Sequence, residues 1–279
     1  MSKIKFSYCV NIYESDPKYT IEALNSIYKD CEYFKKDSYE IILVDDCSSS
    51  ENFKLNIAEI NSNNYENLHI YQTSKNLGMG GAINFGFEKC KGKYVFRLDG
   101  DDINVPGRTQ SQLNLFDKYP HLDFVSGSVL QLSEDEKIKK VIGESSLYMA
   151  SYGMKFGLPF HHSSIAYNKE KLGNYLQYLD RNSYFSLTED YEQIYRLLFD
   201  KKSIFKTVKS PVVIYRSRSG SLSTQNLDII DDQRDLANSI FFHKKNFSLI
   251  NHLACFIIYG FKKRHFFYLR DYIKSYICK

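Results

Sequence analysis

The densest cluster of reactive groups in the 279-residue chain is Asp99-Gly100-Asp101-Asp102, three carboxylates in four positions directly after the strand-like stretch Val95-Phe-Arg-Leu. Like charges so close disfavour one another unless a cation neutralises them. A hard divalent ion meets that need, because Mg2+ is usually held by one or two carboxylates together with substrate phosphates. The rival reading of an isolated Asp-Gly-Asp-Asp is an exposed polar turn. An EF-hand fits poorly, since the required glycine and distal glutamate are missing.

Acids also close the apolar run Glu40-Ile-Ile-Leu-Val-Asp45-Asp46, and a glycine segment, Asn76-Leu-Gly78-Met-Gly80-Gly-Ala-Ile-Asn84, follows the next run. That segment lacks the third glycine of a dinucleotide fingerprint and follows the third strand instead of the first, which argues against a nicotinamide cofactor. Its glycines let backbone approach a ligand or a neighbouring strand. Two histidines, His161 and His162, stand together. Adjacent residues of an extended chain point oppositely, so at most one of them faces a site, and a hydrogen-bonded structural role is the default for either.

These residues must be positioned by a scaffold. The first hundred residues alternate short apolar runs, polar turns and helix-period segments, which is the βαβ rhythm. Strands are predicted at Phe6–Ile12, Glu40–Val44, Leu68–Gln72 and Lys93–Leu98. Lys18–Tyr28 gathers Ile21, Leu24, Ile27 and Tyr28 on one helical face, and Phe53, Ile57 and Ile60 form another. In an open parallel sheet the carboxyl ends form the ligand crevice, and Tyr13, Asp46 and Asp99 stand there. Pro106 suits the first turn of a helix running to Phe116. Apolar segments at Phe124–Leu132 and Ser203–Tyr215, and helix-period stretches near Ser145–Phe156 and Thr188–Leu198, make the second half mixed α+β.

Composition bounds the reading. With 43% hydrophobic and 25% charged residues, 23 Tyr, 20 Phe and only 5 Pro, the chain is neither disordered nor collagen-like nor a coiled coil. Its net charge of +4 is uneven, because residues 241–279 alone carry +7 together with eleven Phe or Tyr. An aromatic, basic helical extension of this kind suits the headgroup layer of a membrane, and equally suits packing on its own domain or on a second subunit. No recognition motif accompanies the charge, so nucleic acid is not an expected partner. Six cysteines without paired spacing read as reduced, cytosolic thiols. No signal peptide is apparent, and the longest apolar run, Leu253–Phe261, falls far short of the ~20 residues a span needs.

Taken in order, the strand ending in Asp45-Asp46, the glycine segment, and Lys91-Gly-Lys-Tyr-Val-Phe-Arg-Leu-Asp99-Gly-Asp-Asp resemble family 2 glycosyltransferases over roughly residues 5–220. The resemblance implies an α/β GT-A fold, with a Rossmann-like mixed central sheet flanked by helices. The transferase domain would span 1–225, divided into a nucleotide-sugar half (1–102) and an acceptor half (103–225), with a helical extension at 226–279. It implies inverting transfer of a sugar from a nucleoside-diphosphate donor, UDP by habit of the family, to a hydroxyl of a glycan or lipid-linked acceptor, on the cytoplasmic side of the membrane.

Residue by residue, the resemblance puts Tyr13 on the nucleotide base, Asp46 on the base N–H and Gly78 beside the donor. It makes Asp101 the principal ligand of Mn2+ or Mg2+, with Asp99 toward the ribose or the metal. Asp102 is left as a helix cap or supporting acid. Ser186-Leu-Thr188-Glu189-Asp190 resembles the family's Glu-Asp segment, making Asp190 the candidate general base with Glu189 beside it on the acceptor side. The competing account is that these acids only complement a helix N-terminus, and the two roles can coexist. Gly157-Leu-Pro-Phe-His161-His162 resembles the preceding family segment and nominates His162 on the acceptor side.

Three positions depart from the pattern. Asn11 replaces a proline, Ile83 an arginine, and Arg218 a histidine that ligates metal in some relatives. Arg218 has no lone pair for a metal but suits a diphosphate. Arg97 and Arg108 could supply further charge against the default of a salt bridge, and Arg108 is placed in the donor-binding set. The rival functions are a sugar-nucleotide nucleotidyltransferase and a degenerate glycan- or nucleotide-binding module. The former needs a Gly-rich basic loop after the first strand, where Tyr13-Glu-Ser-Asp-Pro-Lys stands instead.

Overall fold

Alternation in Phe6–Ile12 sends Phe6, Tyr8, Val10 and Ile12 to one face of strand β1 and Ser7, Cys9 and Asn11 to the other. Most of both faces is buried, as expected of a strand in the middle of a parallel sheet. Strands β2 (Tyr39–Asp45), β3 (Leu68–Gln72) and β4 (Tyr94–Asp99) run parallel to it in the spatial order β3-β2-β1-β4. Cross-strand neighbours are Asn11 with Asp99, Ile12 with Asp45, and Asp45 with Gln72, so the four carboxyl ends finish on one line.

In this computed structural model, residues 4–63, 65–133, 137–141, 160–179 and 188–217 are described. All fall within the compact unit Met1–Asp231. The sheet continues through shorter strands: β5 (Ile103–Asn104), β6 (Phe124–Leu132), β7 (Ile138–Val141), β8 (Ala166–Asn168) and β9 (Phe205–Arg216). β8 runs antiparallel to β4 and to β6, β9 lies parallel to β6, and β5 closes antiparallel on β9. The result is the mixed α/β sheet that the sequence implies. β5 and β8 escaped prediction because two or three residues show no periodicity.

Helix α1 (Pro17–Cys31) starts where Asp16 accepts the Lys18 N–H at 2.9 Å and Pro17 occupies the first turn. It buries Ala23, Leu24, Ile27 and Cys31 against the Phe6 face of the sheet. Each such apolar side chain contributes ~1.5–3 kcal/mol. α2 (Ser50–Ser62) is capped by Ser49. α3 (Gly78–Lys89) covers the other face and ends where Lys169 Nζ donates to the carbonyls of Phe87 and Cys90 at 2.8 and 2.6 Å.

Pro106 does not open a helix. Gly107, at φ +87°, makes the turn, and α4 (Arg108–Lys118) begins after it, since a residue with a Cβ rarely adopts that conformation. α5 (Glu189–Tyr195) passes into a π turn at Arg196–Asp200.

Among the described residues, no helix is long and apolar enough to cross a membrane, and Cys9, Cys31, Cys47 and Cys90 are free thiols. The helix expected near 145–156, the extension 226–279 and Arg218 lie outside the described residues.

Candidate active site

On β4, Phe96 and Leu98 enter the apolar core, and the two-residue period turns Arg97 and Asp99 to the opposite face. Arg97 is fully buried and donates through Nη2 to Asp99 Oδ1, while His162 Nε2 lies 3.1 Å from Asp99 Oδ2. Burial opposes charge on Asp99, but Arg97 and then His162 outweigh it and hold the carboxyl well below the usual range. Asp99 is therefore an ionised group with two partners inside the protein.

Gly100 continues the chain where a Cβ would come within 2.2 Å of Ile12 Cγ2 and 2.7 Å of the Asn11 carbonyl, so only glycine fits. Asp101 stands partly exposed on the turn. Asp102 is fully buried and accepts from Ser163 Oγ at 2.8 Å and from the Arg216 N–H at 3.0 Å. Burial, reinforced by Asp99 and Asp101, pushes its carboxyl well above the usual range. The expected cap role is therefore corrected, because Gly107 is the N-cap of α4 and Asp102 fastens the end of β9 and the 162–164 turn instead. Arg216 completes that fastening. Its Nε donates to the Asp101 carbonyl at 3.1 Å, its Nη2 to Glu22 at 2.5 Å, and its guanidinium lies 4.6 Å from the Tyr19 ring centre.

At the end of β2, Asp45 is spent on Ser48 and Gln72, whereas Asp46 Oδ1 accepts the Leu77 N–H at 2.8 Å and Thr73 Oγ1 at 3.2 Å. Burial raises the Asp46 pKa above the ordinary value. Asp46 thus anchors the turn into α3, which Gly78 makes at φ +75°. A Cβ on Gly80 would sit 2.3 Å from the Leu179 carbonyl and 3.4 Å from Glu189 Cγ. The glycine segment is what lets α3 come up against the start of α5.

Glu189 is 2% exposed, and burial followed by the Asp190 charge pushes its carboxyl up to about 8. Arg97 and Asp99 also act on it, which puts the Glu-Asp pair beside the β4 acids. Asp190 is partly exposed, and its Oδ1 accepts the Tyr191 N–H at 2.7 Å. Asp46 lies two strand spacings from Asp99 across β1, about 10 Å by ordinary sheet geometry. Acids from the ends of β2 and β4 therefore share one sheet edge, and Glu189 at the start of α5 feels the charge of Asp99.

Other expected residues fall differently. Tyr13, just past β1, is 54% exposed and available for stacking. His162 touches Asp99, and His161 bonds Ser163 Oγ at 2.7 Å and packs on Tyr215. Burial, then His162, draws the His161 imidazole down to about 3, so it is neutral near pH 7.

Arg108 is corrected. It is 1% exposed and donates to Gln112 Oε1, Asn104 Oδ1 and the Arg97 carbonyl at 3.0, 3.3 and 2.9 Å, because position 108 opens α4 against the core instead of facing the crevice. Sequence reasoning left Arg97 as a surface cation, although its place two residues before Asp99 on a buried strand signals a shared face.

Among the described residues, no three His, Cys, Asp or Glu side chains converge to hold a metal by themselves. The donor set instead fits a cation that takes one or two carboxylates and completes its shell with substrate oxygens. Asp101 stands at the edge for this, Asp99 is ionised beside it, and Asp102 is committed elsewhere.

A family model described as Glycosyl transferase family 2 matches residues 7–183. The chain belongs to that family. UDP-Gal:alpha-D-GlcNAc-diphosphoundecaprenol beta-1,3-galactosyltransferase of Escherichia coli is 33% identical over 170 residues. That match covers 59% of this chain and 58% of that relative. Among solved structures, S. aureus TarS 1-349 in complex with UDP-GlcNAc superposes with a TM-score of 0.64 at 21% identity, covering 94% of this chain and 72% of that one. The mannosyltransferase PcManGT from Pyrobaculum calidifontis, in complex with GDP-Man and Mn2+, gives a TM-score of 0.57 at 13% identity, over 86% and 63% of the two chains. At such identities these structures establish the GT-A fold of this family 2 chain.

Proposed function

We propose that this chain is an inverting glycosyltransferase that moves a sugar from a nucleoside-diphosphate donor, a UDP-sugar, to a hydroxyl of a glycan or lipid-linked acceptor in bacterial surface polysaccharide synthesis. The observation that carries the reading is the shared sheet edge, where the ionised Asp99 and the turn bearing Asp101 lie beside Glu189-Asp190 at the start of α5. The Escherichia coli relative, named for a UDP-sugar donor and a diphosphoundecaprenol acceptor, supports the donor and acceptor classes.

In this reading Tyr13 stacks on the base, Asp46 receives its N–H, and Gly78 lets backbone approach the donor. Asp190 takes the proton of the acceptor hydroxyl as that oxygen attacks the anomeric carbon from the face opposite the diphosphate. Asp101, with Asp99, would hold Mn2+ or Mg2+, whose charge offsets the charge building on the departing diphosphate. PcManGT, solved with Mn2+, supports that use of metal. Arg218 is assigned to the diphosphate, and Arg108 drops out.

A nucleotidyltransferase is disfavoured by the loop after β1. There Glu14 accepts the Ser49 N–H at 2.5 Å, which puts a carboxylate where that reaction needs basic groups. The remaining elements of the proposal are a cytoplasmic location, a self-associated state, and contact of 241–279 with the membrane face. Co-sedimentation with anionic vesicles before and after removing 241–279 reads the last.

The deciding experiment is a panel of nucleoside diphosphates and their sugars, with and without Mn2+, read first by thermal shift and then by nucleotide release. A bound ligand raises the melting point. Metal-dependent shifts confined to one nucleotide, followed by its release and abolished in Asp101→Ala, are expected. Binding without release would leave a degenerate binding module.

A further inference from the structure

Beside the site, Nε and Nη1 of Arg97 and Oε2 of Glu189 are buried without a hydrogen-bond partner. A stranded group of this kind costs stability, so native proteins retain few of them. Here two stranded donors and one stranded acceptor belong to a cation and an acid that lie within electrostatic reach of each other. Arg97 comes from β4 and Glu189 opens α5. The charged groups facing Glu189 are Asp190 on its own helix and Arg97 and Asp99 on β4, while the start of α3 meets it with the uncharged Gly80. Asp99 already holds Nη2 of Arg97, which leaves the other N–H groups for a second carboxyl.

We propose that Arg97 is a positioning residue for both halves of the cleft. Its Nη2 fixes Asp99, and its remaining N–H groups reach Glu189 through a bridging water, so that a single buried guanidinium sets the spacing between the β4 acids and Asp190. A planar guanidinium can serve two carboxyl groups at fixed angles, whereas a lysine ammonium is a point charge on a flexible stem. The assignment rests on the transferase reading for its catalytic meaning, though the pairing itself does not.

The test is a double-mutant cycle of Arg97→Lys and Glu189→Ala in the full chain, read by thermal melting and by steady-state nucleotide release. Each single change is expected to lower the melting point and to reduce kcat more than tenfold with donor KM within about threefold. The double variant is expected to be no worse than Arg97→Lys alone. Losses that simply multiply would overturn the pairing.

Glu189→Gln keeps an acceptor oxygen and is expected to recover most of the kcat and melting temperature that Glu189→Ala loses. If Arg97→Lys does not fold, the Gln-against-Ala contrast decides, and equal losses in both would overturn the proposal. Melting reads the pair without substrate. Coupled melting points in a chain that releases no nucleotide would therefore sink the transferase reading and leave the pairing standing.

Discussion

Two arginines are buried on opposite faces of β4, and their surroundings differ. Arg108, over the Tyr8 and Phe96 rings, has partners for Nε, Nη1 and Nη2. Next to it the Asp30 carboxylate accepts the Gly107 and Thr109 N–H groups, Thr109 Oγ1 and Asn104 Nδ2, and Tyr8 joins through Thr109 Oγ1 at 2.7 Å. Arg97, on the crevice face, has Nε and Nη1 unpartnered, with Glu189 Oε2 and His162 Nδ1 unpartnered nearby. A completed polar network specifies a core, and buried polar atoms left without a partner call for an explanation such as the pairing proposed for Arg97 and Glu189. On the proposed transferase reading, these residue types form scaffold on one side of the strand and serve chemistry on the other.

The largest effect should appear on the crevice side and leave stability untouched. Asp190→Asn is expected to lower nucleotide release ~10²–10⁴-fold, the usual contribution of a positioned base. Its melting point should stay within a degree or two, and donor-induced thermal shifts should persist. Unchanged turnover would remove Asp190 from the mechanism and leave it a helix-end acid.

On the scaffold side the expectation reverses. Asp30→Ala strands the donors that converge on that carboxylate, and breaking a buried charged network costs ~3–5 kcal/mol. At about 2–4 °C per kcal/mol for a domain of this size, the melting point should fall by ~10 °C. Below that temperature, kcat/KM should remain within about threefold. An enzyme with normal melting and lost turnover would erase the division between the two faces.

Glu189 gives the comparison a pH axis. With its folded pKa near 8 and an ordinary value of 4.5 when unfolded, the folded state holds the extra proton between those limits. Stability falls with rising pH wherever the folded state binds more protons, so this residue costs the fold progressively from about pH 5 to pH 8. Glu189→Gln cannot ionise. Its stability should match the parent near pH 5 and exceed it at pH 8 by on the order of a few kcal/mol, with a correspondingly higher melting point. Parallel melting curves across that range would mean that the folded state does not hold the extra proton on this carboxyl.

Much of this arrangement was legible in the sequence where period and length agree. β1 and β3 fall on their expected residues and β2 and β4 within one at each end; for β1, β2 and β4 this is because parallel strands buried on both faces read as apolar runs. Asp46, Asp99 and Asp101 follow those strands, where the sequence reading placed them. What escaped depends on tertiary approach. Nothing local tells that Arg108 turns into the core while Arg97 faces the acids, that Asp102 ties down Arg216 and Ser163 instead of capping α4, or that Gly107 displaces Pro106 from the start of that helix. The contact of His162 with Asp99, 63 residues away, is likewise set by tertiary approach.

The smallest expected effect belongs to a residue outside both networks. Tyr13 is 54% exposed, so truncating it should leave stability within about 0.5 kcal/mol, as for most surface substitutions. If its ring stacks on the nucleotide base, a contact of ~1–3 kcal/mol is lost in Tyr13→Ala. Since ~1.4 kcal/mol is a factor of ten, the donor KM should rise about tenfold with kcat little changed. Tyr13→Phe keeps the ring and should restore the parent KM. Equal weakening in both variants would assign the contact to the hydroxyl. An unchanged KM in Tyr13→Ala would move the base elsewhere along the edge and leave Asp46 as the residue to change next.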